Sequence, residues 1–259
     1  MPNKSQEIRI DELPEPFFQK TMEEVANHVV GFLRIEDTPR GQDAVLIGSG
    51  TLVKVGQIHA ILTADHVLNE LPKKGRLGLL LSETLNRTTI DVQACSYLCI
   101  ARGTIDSEGP DLGAVVITPS VASALAAKKV FYNLDLRREE LLNNPPDLHN
   151  GVWLVNGFIA ELTAEEPGQG GYSKIKRFYN FSGLGGPDNP AARVGDYDYV
   201  CSPVSVSVRD NAPRSFGGMS GGGFWQVPMR READGSFVPT RTILSGVVFY
   251  PQRFRDLTR

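Results

Sequence analysis

The sequence predicts an all-β protein, and three observations carry that expectation. Val-, Ile- and Leu-rich runs recur between Gly or charged breaks: HVVGFLRIE (28–36), AVLIGSGTLVKV (44–55) and QIHAILTA (57–64). Gly (26) and Pro (17) are abundant for a helical chain, which fits many tight turns. Helical periodicity is confined to short stretches. With 259 residues and 41% apolar content, the chain can build one large domain or two small ones with real cores.

Taken in order, residues 1–14 are polar and end in Leu13-Pro14, a loose arm. Phe17, Phe18, Met22 and Val25 then recur at helical spacing, so a short amphipathic helix is expected from Glu15 to about Ala26, and 1–28 form an arm and helix. Further strands are expected in RLGLLLS, TTIDVQACSYLCI and DLGAVVI, ending at Ile117. PSVASALAAKKV (119–130) is Ala-rich with Pro at its start, a short connecting helix.

RREELLNNPPDL (137–148) runs from charge into Asn-Asn-Pro-Pro, which continues neither a helix nor a central strand, and reads as a linker. It separates 29–145 from 146–259. The second part holds GVWLVNGFIAEL, SKIKRFYNFS, YDYVCSPVSVSV, GGFWQVPM and TRTILSGVVFY, with EEPGQGG (165–171) as a flexible loop. Two β-barrels in tandem are the expected architecture. There is no internal repeat.

Composition excludes several classes. A net charge of −3 offers nothing to a nucleic-acid backbone, and the short basic run Arg137-Arg138 leads straight into Glu139 and Glu140. No stretch approaches the roughly 18 consecutive apolar residues of a membrane span. The start MPNKSQEIRIDELPEP lacks the apolar core of a secretory signal. Cys95, Cys99 and Cys201 cannot all pair with one another, so a reduced, cytoplasmic chain is expected. A C-x3-C pair with one remote third cysteine is a poor zinc signature; the thiols are expected to be buried as small apolar groups, with no metal site.

Three segments carry chemistry. In SGTLVKVGQIHAILTADHVL, His66 directly follows an apolar strand, which would hold its backbone rigidly while the ring faces a cleft. In GPDLGAVVI, Asp111 opens an apolar strand. In SFGGMSGGGFW, Ser220 stands among five glycines, and a strand follows at once, which is unlike a Gly-Ser linker. A free serine is a weak nucleophile and needs a base to remove its proton. A histidine fills that role when a carboxylate fixes its tautomer. Glycines beside the serine allow positive φ, so that backbone N–H groups can converge on a developing oxyanion.

TADHV resembles the TAAHC segment of trypsin/chymotrypsin-like serine proteases, PDLGAVV their D-[IL]-A-L-L segment, and GGMSGGG their GDSGGP. The order matches too: His66, Asp111 45 residues on, Ser220 109 further. The resemblance spans roughly 29–250 and is to the intracellular, bacterial type of trypsin-like peptidase domain. It implies two six-stranded antiparallel barrels, with His66 as general base, Asp111 as its orienting carboxylate and Ser220 as nucleophile in the cleft between them. It implies an oxyanion hole from the N–H groups of Gly218 and Ser220, and no metal or organic cofactor. The expected partners are a protein or peptide substrate and a regulatory protein, with no nucleic acid or membrane.

The departures also carry expectations. Met219 stands where secreted trypsins have the aspartate that receives a cleaved N-terminus, so that activation route is not expected. Phe249 replaces a serine that supports the triad aspartate and binds substrate backbone, and Pro251 replaces the following glycine, removing a donor. The family's last barrel strand and C-terminal helix are missing from the 259 residues. By the same resemblance the base of the primary pocket falls on Arg214 with Ser215 and Phe216 beside it, and Phe249 and Tyr250 are expected among the substrate-binding residues. A guanidinium at the base would favour acidic substrate side chains; with Arg214 in solvent, Ser215 and Phe216 leave a small uncharged pocket, the reading preferred here.

Other residues of the same types occur in the sequence. His28, His59 and His149 read as structural or solvated. Asp106 and Glu108 lie in a turn and read as solvated. Asp65 beside His66 points elsewhere if both end a strand. Gly218 to Gly222 also fits G-x-S-x-G, but the hydrolases with that motif place their histidine after the serine, and no histidine follows His149. The alternative of a different class is a weak or inactive trypsin-like domain that binds protein segments in its cleft.

Overall fold

The computed structural model describes residues 13–39, 41–82, 87–103, 110–145, 151–167, 174–185, 188–194, 197–201, 213 and 215–249. Helix α1 (Glu15–Ala26) comes first, with proline in its first turn, where a missing N–H costs no hydrogen bond. It is followed by β1 (Val29–Thr38), β2 (Gly41–Val55), β3 (Ile58–Thr63), helix α2 (Asp65–Glu70), β4 (Arg76–Leu80), β5 (Arg87–Asp91), β6 (Cys95–Arg102) and β7 (Asp111–Ile117). Helix α3 (Pro119–Ala126), the short β8 (Tyr132–Asn133) and helix α4 (Leu134–Asn143) lead to β9 (Val152–Pro167), β10 (Lys174–Gly185), β11 (Asp188–Val194) and β12 (Tyr197–Cys201). The last described strands are β13 (Gly223–Val227), β14 (Met229–Arg231), β15 (Phe237–Pro239) and β16 (Ile243–Val247).

The fold is mostly β with few helices. One sheet has eight strands in the order β5-β4-β1-β2-β3-β7-β6, with β8 attached to β2 in parallel; a second has four, β10-β9-β13-β16. Two two-stranded ribbons, β11/β12 and β14/β15, complete the described ladders. This differs from two six-stranded barrels. One cause is local: the run read as a single strand, TTIDVQACSYLCI, is broken by a 3-10 turn at Val92–Ala94. There the Asp91 side chain accepts the Gln93 N–H at 2.9 Å in place of a ladder bond. The edge strands β5 and β6 are therefore consecutive in the chain and joined only by that turn.

The segment read as a linker is also partly helix. Asn133 accepts the Leu136 N–H and caps α4, whose Arg, Glu and Leu residues favour helix until Asn144-Pro145 stops it. Of the loop expected at 165–171, residues 165–167 belong to β9, which continues to Pro167, and the rest lies outside the described residues.

Two cores and a seam hold the sheets. Phe32, Leu52, Ile61, Leu77, Leu79 and Val115 fill the first, all fully buried; each such side chain contributes about 1.5–3 kcal/mol by leaving water. Trp153, Val155, Ile159, Met219 and Phe224 form a cluster on the second sheet. At the seam, buried Trp225 stacks on His28 (5.4 Å between centroids) and meets Tyr132 edge-on, beside Val53, Ala60, Ala114 and Leu154. Phe17 and Phe18 of α1 pack with Val152 and Val227, at the far end of β13 from Gly223. At strand rise, that is about 13 Å from the end that follows Ser220.

Candidate active site

His66 sits in the first turn of α2 rather than at a strand end. Helix α2 is six residues long and its N-cap, Ala64, has no side chain to offer the orphan N–H groups. A carboxylate from the next strand offers it instead. Thr63 pairs with Gly113 across the β3/β7 ladder, which sets Asp111, two residues earlier on β7, beside Asp65 and His66. The His66 N–H donates to Asp111 Oδ1 at 2.9 Å, and His66 Nδ1 lies 2.5 Å from Asp111 Oδ2. Gly113 permits this approach, since a Cβ there would lie 2.4 Å from Leu68 Cδ1 of α2. Burial pushes the Asp111 carboxyl up, but hydrogen bonds from the His66 ring, the His66 N–H and the Asp65 N–H outweigh it and hold the carboxyl below its ordinary range.

Asp65 opens a helix and does not end a strand, and it pairs with Arg102. Asp65 is buried, 3% exposed, and its carboxylate receives Arg102 through Nε and through Nη2, the latter at 3.0 Å. The hydrogen bond from Arg102 holds its carboxyl below the usual range against the opposing effect of burial. Arg102 faces Asp111 across the β6/β7 ladder, so a second, neutralised carboxylate lies beneath the His66–Asp111 pair.

The turn around Ser220 has an alternating pattern. Gly217 O accepts the Ala160 N–H (2.8 Å), Gly218 O accepts the Ser49 hydroxyl (2.7 Å), Met219 O accepts the Gly222 N–H (2.9 Å), and Ser220 O accepts the Ser49 N–H (2.8 Å). The N–H groups of Met219 and Gly221 are used internally, by Phe216 O (3.0 Å) and Val248 O (2.7 Å). Those of Gly218 and Ser220 have no hydrogen-bond partner among the described residues. Gly218 and Gly221 have φ of +93° and +88°, and a Cβ on Gly221 would fall 2.0 Å from Ser49 O and 2.1 Å from Thr63 Oγ1. Met219 is buried (2% exposed) in the apolar cluster with Trp153 and Phe224.

The two turns meet at Gly48. A Cβ added there would stand 2.8 Å from Val67 Cγ1 and 3.2 Å from Ser220 O, so the histidine-bearing helix and the serine flank one glycine of β2. No hydrogen bond joins His66 to Ser220 among the described residues.

Around the expected pocket, Ser215 is exposed and its N–H donates to Glu161 Oε2 at 2.5 Å. Phe216 packs edge-on against Phe181 (5.5 Å). Phe249 packs edge-on against Tyr199 (5.9 Å) and against the first core, taking its ring into an apolar contact. Arg214 and Tyr250, with Asp106, Glu108 and His149, lie outside the described residues. His28 is buried with Nδ1 at 2.8 Å from Val130 O, and His59 packs against Phe131. Cys95 and Cys99 differ from the expected buried thiols, and the Cys201 side chain lies outside the described residues. Cys99 is exposed on edge strand β6, pushed up by its hydrogen bond to Asp65. Cys95 is half-buried and pushed up to about 11 by burial.

Three contributors were missed from sequence: Ser49, Arg102 and Glu161. Only Ser49 leaves a signal, as a polar residue between two glycines in an apolar strand. Among the described residues, no group of three or more His, Cys, Asp or Glu side chains is disposed to hold a metal ion, and no helix is long and apolar enough to cross a membrane.

No protein-family model and no curated protein matches the chain. Solved structures do resemble it. One is the MamO protease domain from Magnetospirillum magneticum, apo form, at 14% identity and a TM-score of 0.37, over 85% of this chain and 93% of that one. A likeness at that level carries no weight for activity.

Proposed function

We propose that the chain is a serine endopeptidase of the trypsin-like type, built as two barrel-like halves with His66, Asp111 and Ser220 in the cleft between them. The observation that carries the reading is the turn at Ser220, where the N–H groups of Gly218 and Ser220 are left unpartnered while their neighbours are tied down. His66 takes the Ser220 proton through Nε2 as Oγ bonds to the substrate carbonyl carbon. The carbonyl oxygen gains charge and is met by the two N–H groups. His66 then returns the proton to the leaving amine, and water repeats the sequence on the acyl-enzyme. The distance from His66 to Ser220 closes on substrate binding, as unliganded sites are commonly loose. Asp111 keeps Nδ1 protonated and stabilises the imidazolium.

The substrate is a protein or peptide. Ser215 and Phe216 form a small uncharged pocket, and the carboxylate of Glu161 sits at its edge. The chain works in the cytoplasm under a regulatory protein partner. A second reading is favoured by Phe249, which supplies no hydroxyl to Asp111: a weak or inactive domain that holds peptide segments in the same cleft. A fluorophosphonate probe separates the two. Labelling that Ser220→Ala abolishes supports the hydrolase; a wild-type chain that binds peptides without labelling supports the second reading.

A further inference from the structure

Ser49 is a fully buried hydroxyl on β2, 169 residues before the Gly218 carbonyl to which it donates. Its proton has one destination. The Phe158 N–H, a donor only, occupies an Oγ lone pair at 2.8 Å, so the hydroxyl hydrogen goes to Gly218 O at 2.7 Å. Its backbone N–H holds Ser220 O, and its own carbonyl accepts the Thr63 hydroxyl at 2.8 Å, three residues before His66. One buried residue thus touches the carbonyls on both sides of the Met219–Ser220 peptide and the strand that ends at the histidine.

A trans peptide points its C=O and N–H in opposite directions. Fixing the Gly218 and Ser220 carbonyls to Ser49 constrains the intervening plane from both sides; that plane is otherwise tied only by the Gly222 N–H, and its Ser220 N–H has no partner among the described residues. We propose that Ser49 is a positioning residue for this reaction: its hydroxyl sets the Gly218–Met219 peptide and, through it, the direction in which the Ser220 N–H meets the oxyanion. The proposal rests on the hydrolase reading above.

The full chain is tested with a fluorophosphonate under saturating kinetics. Ser220 Oγ bonds to phosphorus, the P–F bond breaks, fluoride leaves, the hydroxyl proton passes to His66, and the phosphoryl oxygen lies where the oxyanion would. Ser49→Ala is expected to lower the maximal labelling rate about 10- to 100-fold, with the half-saturating concentration within about twofold. Ser49→Cys, close in size but a weak donor, falls likewise. Thr51→Val is the control: it removes an equally buried, unpartnered hydroxyl two residues along the same strand, and leaves the rate within about twofold. Wild-type labelling by a Ser49→Ala chain that melts cooperatively overturns the proposal and leaves the hydrolase reading standing. If Ser49→Ala does not fold, wild-type labelling by Ser49→Cys overturns it on the same terms. A wild-type chain that never labels overturns both.

Discussion

His66 meets Asp111 through two donors at once, the backbone N–H to Oδ1 and the ring Nδ1 to Oδ2. The carboxylate therefore caps helix α2 and orients the imidazole with the same two oxygens. Asp111→Asn keeps an oxygen for one donor but turns an NH2 toward the other. Fluorophosphonate labelling is expected to fall on the order of 10³- to 10⁴-fold. Asp111→Ala should add a loss of about 1–2 kcal/mol in stability, because the helix loses its cap. Urea denaturation separates the two effects; equal stability of Asp111→Ala and wild type would remove the capping role.

Arg102 leaves Asp65 stranded when it is deleted. Asp65 titrates below its ordinary value when folded, so its contribution to stability is full above the unfolded value and is lost as pH falls through the folded one. Arg102→Ala is expected to melt lower than wild type at pH 7, with the gap narrowing as pH falls toward 3. Melting curves across that range check it. A gap independent of pH would mean that Arg102 acts through packing alone.

Lys129 gives the opposite pH signature. Its Nζ donates to Ala26 O at the end of α1, and burial lowers its ammonium from 10.5 to about 8. Between those two values the unfolded chain holds a proton that the folded chain has released, so this group makes stability rise with pH from about 8 to 10.5, by roughly 1–3 kcal/mol. Below pH 8 both states are charged and the dependence ends. Lys129→Met should flatten that part of the profile, and an unchanged slope in chemical denaturation from pH 8 to 10 would exclude it.

Gly221 has no room for a side chain. Gly221→Ala combines a left-handed φ, costing about 1–3 kcal/mol, with a clash against Ser49 O and Thr63 Oγ1. Labelling at Ser220 should be lost. Gly56→Ala, at φ +56° with nothing within 4 Å, should lose a little stability and no labelling. Equal labelling in both variants would mean that the turn tolerates rearrangement.

The three residues proposed to react could be singled out in the sequence because each is announced by its own neighbours. Thr63-Ala64 precede the histidine, an apolar strand follows Asp111, and glycines surround Ser220. Helix α1 was legible for the same reason, through Phe17, Phe18 and Val25. What was not legible depends on pairing across the chain. Arg102 finds Asp65 only because β6 lies beside β7, Ser49 finds Gly218 only when the sheets dock, and Glu161 reaches Ser215 from β9. The misreadings were local contests that a few hydrogen bonds decided. Asn133 started a helix where charge and prolines suggested a linker, and Asp91 bent one expected strand into two.

The ties that shape the Ser220 turn come from Ser49, Ala160 and Val248, so they span nearly the whole described chain. Joining such remote segments costs chain entropy that only the finished packing of both sheets repays. A polypeptide still emerging from the ribosome has no Val248 to hold the Gly221 N–H, and its serine stands in an unshaped glycine tract. The order of synthesis thus keeps the turn unshaped until Val248 has been made, so its geometry belongs to the packed chain and not to the glycine tract itself.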